Sequence, residues 1–127
     1  MTRQAISTTN APAAVGPYSQ AIVAGDLVFC AGQGAIDAAT GDFLQGPVEE
    51  ETERTLRNLG AVLDAAGVGF ADVVKTTVFL TNMGDFDAMN RVYARFFPDP
   101  PPARSTIGVA ALPKGFKVEI EAIARRP

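Results

Sequence analysis

Arg104 stands just after a proline stop, in Pro102-Ala103-Arg104-Ser105-Thr106. Two carboxylates, Glu119 and Glu121, follow in the run Lys117-Val118-Glu119-Ile120-Glu121-Ala122. Arginine offers a rigid, always-charged fork that matches a carboxylate through two parallel hydrogen bonds. A glutamate close by can orient or deprotonate a water. Together these residue types describe a pocket for a small anionic substrate. The chain has no histidine, so no other group is as well suited to chemistry.

On spacing alone, two plainer readings stay open. Arg104 could pair with a glutamate of its own sheet, since structural ion pairs are common. Glu119 alternates with apolar neighbours and could simply face solvent.

The elements that must position these residues can be read along the chain. Ala21 to Cys30 reads as a hairpin, with two apolar runs flanking Gly25-Asp26. Gly32-Gln33-Gly34 ends its second strand and lacks the spacing of a phosphate-binding loop. Val48 to Gly67 reads as a helix with Leu56, Leu59, Val62, Leu63 and Ala66 at helical spacing. Its acidic start, Glu49, Glu50, Glu51 and Glu53, suits the positive end of the helix dipole and reads as solvated. Val73 to Leu80 is a β-branched strand, and Asp85 to Phe97 a second helix whose Phe86, Met89, Val92, Tyr93, Phe96 and Phe97 read as core. Arg104 to Val109 and Phe116 to Ala124 are the last strands, joined through Leu112-Pro113-Lys114-Gly115.

The order β-β-β-α-β-α-β-β predicts an α+β two-layer sandwich, with a mixed sheet and both helices on one face. The opposite face is left uncovered. A half-bare sheet of this kind often completes itself by oligomerising, and pockets then lie at subunit seams.

Composition narrows the function classes. The 127 residues suffice for one domain, residues 1–127, with a single core. A net charge of −3 gives no footprint for sequence-independent nucleic-acid binding or for an anionic membrane. Cys30 is the single cysteine, which excludes an intrachain disulfide and a Cys-rich zinc site. The N-terminal residues lack the apolar core of a signal peptide, and no apolar run reaches membrane-spanning length. The expectation is a cytoplasmic protein.

Six short motifs carry a resemblance. They are Gly16-Pro17-Tyr18-Ser19-Gln20-Ala21, Ala31-Gly32-Gln33, Lys75-Thr76-Thr77-Val78-Phe79-Leu80, Asn90-Arg91-Val92-Tyr93, Pro102-Ala103-Arg104-Ser105 and Glu119-Ile120-Glu121-Ala122-Ile123-Ala124. In order and spacing they resemble the RidA family, the reactive intermediate or 2-iminobutanoate/2-iminopropanoate deaminases. The resemblance runs from the first loop to the C-terminus.

It implies a chorismate-mutase-like fold, a homotrimer, and active sites in the clefts between subunits. It implies hydrolysis of 2-aminoacrylate/2-iminopropanoate and 2-iminobutanoate, released by pyridoxal-phosphate enzymes, to 2-oxo acids and ammonia. Neither a metal nor an organic cofactor is implied. The family's carboxylate-binding arginine falls on Arg104, and its water-side glutamate on Glu119. Tyr18, Ala31, Gly32, Asn90 and Thr106 fall on the other positions that line the cleft. Thr106 stands where some members carry cysteine, and Ala31 where many carry serine. The thiol chemistry of such members is therefore absent, while imine hydrolysis needs no thiol.

Two other functions compete. A non-catalytic binder of small carboxylates or 2-oxo acids would use the same Arg104. An RNA-cleaving or chaperone role, ascribed to relatives, sits poorly with the acidic charge and the lack of histidine.

Overall fold

The computed structural model describes residues 2–127. Its strands are β1 (Arg3–Ile6), β2 (Ala21–Ala24), β3 (Leu27–Gln33), β4 (Val73–Leu80), β5 (Ala103–Gly108) and β6 (Val118–Arg125). They form one mixed sheet in the order β1-β2-β3-β6-β4-β5. Helix α1 (Val48–Ala65) follows β3, and α2 (Phe86–Tyr93) links β4 to its parallel neighbour β5. The α+β class and the element order are those expected from the sequence.

Local chemistry sets the turns. β2 and β3 pair from Ala24↔Leu27 outward, leaving a two-residue loop. Gly25 opens that loop at φ 62°, a conformation glycine adopts without strain. Helix α1 stops at Gly67, where φ is 80°. The Val68 N–H donates to the Leu63 carbonyl at 3.0 Å and the Gly67 N–H to that of Asp64 at 2.9 Å. These two bonds close a Schellman motif and satisfy carbonyls the helix would leave open. Helix α2 is shorter than its apolar pattern predicts: a 3-10 turn at Met83–Asp85 precedes it, and regular helix ends at Tyr93.

Both helices cover one face of the sheet. Leu56, Leu59, Val62 and Leu63 of α1 meet Val28, Val78, Leu80, Val118 and Ile120 in a dry core. Fully burying one such side chain contributes about 1.5–3 kcal/mol. Along β4 the alternation is plain: Thr76, Val78 and Leu80 are buried under the helices, while Lys75, Thr77 and Phe79 point the other way. That second face is uncovered. Phe29 is 42% and Ile107 45% exposed on it, although large apolar side chains usually find cover. No described helix is long and apolar enough to cross a membrane.

Candidate functional site

Strand register decides where the chemically capable residues sit. Arg104 in β5 aligns with Thr76 in β4, and Thr106 with Val78. Aligned residues share a face, so Arg104 and Thr106 lie on the helix side. Glu119 in β6 aligns with Phe79 and Glu121 with Thr77, so both carboxylates lie on the bare side. The sequence pattern alone puts Arg104 and Glu119 in one pocket. Within one chain they do not share one, because the sheet stands between them.

The Arg104 half is built by α2. The guanidinium carbon lies 4.8 Å from the centre of the Tyr93 ring and 5.6 Å from that of Phe86. Asn90 sits between these two on the helix, one turn after Phe86. Its Oδ1 is buried and has no protein hydrogen-bond partner. Among the described residues Arg104 forms no salt bridge. The structural ion pair left open by the sequence is therefore not formed within the chain. The half-buried guanidinium lies beside the Tyr93 hydroxyl and has no carboxylate partner among the described residues.

The other half is a pocket of about 350 Å³ lined by Val15, Tyr18, Gly32, Lys114, Phe116 and Glu119, among others. Glu119 is half-buried and lies over Gly32. Burial pushes its carboxyl above the ordinary glutamate range, and the nearby charge of Glu121 adds to this. Tyr18 is half exposed, and its hydroxyl accepts from the Val15 N–H at 3.3 Å. Ala31 donates its N–H to the Gln20 carbonyl at 2.9 Å, tying the Tyr18 loop to β3.

Buried amides brace the walls. The Gln20 side chain accepts from the Thr8 N–H at 2.7 Å and donates to the Pro12 carbonyl at 2.8 Å. Asn58 of α1 donates to the carbonyls of Gly34 and Ile36 at 3.0 and 2.9 Å. These bonds hold loops that have no regular structure of their own.

Sequence reasoning missed three residues here. Glu51, read as part of a solvated helix start, is fully buried. It accepts the Lys117 N–H at 2.9 Å and faces the Lys117 ammonium at 3.3 Å, fixing the chain two residues before Glu119. Phe86 and Tyr93, read as core, also carry the Arg104 guanidinium. A buried acid at a helix start looks like any acidic first turn in sequence, so no local signal marks Glu51.

Other features do not gather chemistry. Cys30 is buried and its thiol pushed up to about 12 by desolvation, which leaves it inert. Among the described residues no cluster of three or more His, Cys, Asp or Glu could hold a metal. An open groove along α1 brings Glu53 and Arg57 together at 3.4 Å and contains none of the residues above.

The arrangement can do two things. An unpaired guanidinium can bind a small carboxylate, and a half-buried carboxylate in a pocket can hold and deprotonate a water.

Comparison with known proteins adds to this geometry. The family model described as Endoribonuclease L-PSP matches residues 8–126. The chain is 50% identical over 122 residues to the mouse 2-iminobutanoate/2-iminopropanoate deaminase, covering 96% of this chain and 90% of that one. It is also 50% identical to the chloroplastic Reactive Intermediate Deaminase A of Arabidopsis thaliana, covering 96% of this chain and 65% of that longer one. The structure of E. coli TdcF with bound serine superposes with a TM-score of 0.92 at 41% identity, over 98% of this chain and 99% of that one.

Proposed function

The chain belongs to the endoribonuclease L-PSP family, which includes the reactive intermediate deaminases, and from that premise we propose how it works. It is an enamine/imine deaminase that hydrolyses 2-imino acids such as 2-iminopropanoate and 2-iminobutanoate to 2-oxo acids and ammonia. The observation that carries the mechanism is the free guanidinium of Arg104, half-buried and stacked on Tyr93 with no carboxylate of its own.

Arg104 clasps the substrate carboxylate through two N–H···O bonds. That fixes the imine carbon against the opposite wall, so attack by water becomes a positioned event. Ionised Glu119 takes a proton from the water as its oxygen bonds to the imine carbon. The C=N π pair goes to nitrogen. Glu119 returns its proton to that nitrogen, the carbinolamine hydroxyl passes its own proton to the departing amine, and the C–N bond breaks to leave the carbonyl and ammonia. The Asn90 Oδ1, buried beside this half without a protein partner, would have to be uncovered to accept an N–H of the reacting nitrogen. Thr106 Oγ1 and the Gly32 backbone supply further polar contacts, and Tyr18 closes the apolar side. 2-Aminoacrylate enters after tautomerising to the imine, its terminal carbon taking a proton and its nitrogen losing one.

Arg104 and Glu119 can meet only if copies of the chain meet. The bare sheet face, with Phe29, Phe79, Ile107 and Ile123, is the surface available for this. In this reading three copies pack around their bare faces so that the β5 edge of one copy, which carries Arg104, abuts the Tyr18–Gly32–Glu119 pocket of the next. The enzyme then works in the cytoplasm beside the pyridoxal-phosphate enzymes that release reactive imines.

A coupled assay tests this. A dehydratase or amino-acid oxidase supplies the imine, and semicarbazide traps what is not hydrolysed. The protein should lower trapping and raise free 2-oxo acid, and Arg104→Ala should not. Equal rates for wild type and no protein, across several imines, would leave a carboxylate-binding protein in place of an enzyme.

A further inference from the structure

Phe97 stacks on Tyr93 with ring centres 4.4 Å apart and planes at 29°. The Arg104 guanidinium also lies against the Tyr93 ring. Tyr93 therefore touches both Phe97 and the Arg104 guanidinium. Phe97 is braced edge-on by Phe70, with centres 5.2 Å apart at 86°. The Tyr93 hydroxyl shares a 2.7 Å hydrogen bond with Thr76 Oγ1. Thr76 is fully buried and is the β4 residue aligned with Arg104.

Packing alone does not call for this hydroxyl. A buried O–H costs free energy unless it is paired, and phenylalanine would fill the same space. The pair does fix the ring against sliding and twisting. Contact with an aromatic ring also holds the guanidinium without a carboxylate, so a ligand carboxylate meets no competing charge of the chain. A salt bridge would have held Arg104 equally well but consumed its N–H donors.

We propose that Tyr93 is a positioning residue for carboxylate binding, with Thr76 setting the angle of its ring and hence the direction of the Arg104 fork. This rests on the reading of Arg104 as the carboxylate clamp.

The test is calorimetric titration of 2-oxobutanoate into wild type, Tyr93→Phe, Thr76→Val, their combination and Tyr93→Leu, with turnover measured in parallel. Tyr93→Phe and Thr76→Val should each weaken binding about threefold. The double variant should be no worse than either single, since both remove one bond. Tyr93→Leu should weaken binding about tenfold, with a smaller change in turnover at saturation. Val28→Ala, a core change on β3, which β6 separates from β4 and Thr76, should lower Tm and leave Kd alone. Wild-type Kd in both Tyr93→Phe and Thr76→Val overturns the proposal, whether or not Tyr93→Leu folds. Wild type that fails to bind 2-oxobutanoate overturns the clamp and the proposal together. Wild type that binds without turnover, with the variants weakened as expected, supports the proposal and sinks the deaminase reading alone.

Discussion

The carboxyl group of Glu119 occupies the space where a side chain at Gly32 would begin. A β-carbon there would stand 2.9 Å from the Glu119 carboxyl carbon and closer still to Oε2. The carboxyl tip is the movable partner and the strand backbone is not. Gly32→Ala should therefore fold with Tm changed by about 2 °C or less, yet lose activity about tenfold or more because the water-holding group is displaced. Thermal melts and the semicarbazide assay check this together. Full activity in Gly32→Ala would mean that the carboxylate's position is not critical.

Arg104 should be intolerant of even its closest substitute. Lysine keeps the charge but loses the planar fork and its fit to the Tyr93 face. Arg104→Lys and Arg104→Ala should each lower kcat/KM about 100-fold or more. No ion pair within the chain is lost, so the stability change should be on the order of 1 kcal/mol, the size of a cation–π contact. Urea titration and kinetics on the same preparations separate the two effects.

If sites form between copies, two dead variants should repair each other. Arg104→Ala and Glu119→Gln are each expected to be inactive. Unfolded together in equal amounts and refolded, they should recover about a quarter of wild-type activity, because random neighbours pair two intact halves once in four. A site contained within one chain would recover nothing.

The acid limb of the rate profile should report Glu119. Burial and Glu121 both raise its pKa. A base works in its ionised form, so activity falls as pH drops through a pKa above the usual glutamate range. Glu121→Gln removes the repulsion and should move that limb to lower pH. The variant should be the faster enzyme below the limb and match wild type on the plateau. A limb that stays in place would mean that another group titrates.

Much of this was legible in sequence, for physical reasons. Val73–Leu80 is a nearly unbroken run of β-branched and apolar residues, and the α1 stripe repeats at helical spacing, so both elements announce themselves. Arg104 and Glu119 stand out because few other polar groups are suited to chemistry. Their separation by the sheet was not legible in this way. It depends on register, Arg104 with Thr76 and Glu119 with Phe79, and register is set by pairing across the chain. The early end of α2 and the burial of Glu51 are likewise tertiary outcomes that local pattern does not encode.

Strand β5 lies at the open edge of the sheet, with one row of backbone groups unpaired. Such an edge is a template for aggregation by strand addition. Four of the five residues leading into it, Pro98, Pro100, Pro101 and Pro102, are prolines. None has an N–H to offer an incoming strand. The run that delivers Arg104 to its place therefore also keeps an incoming strand from extending its pairing back along the approach to β5.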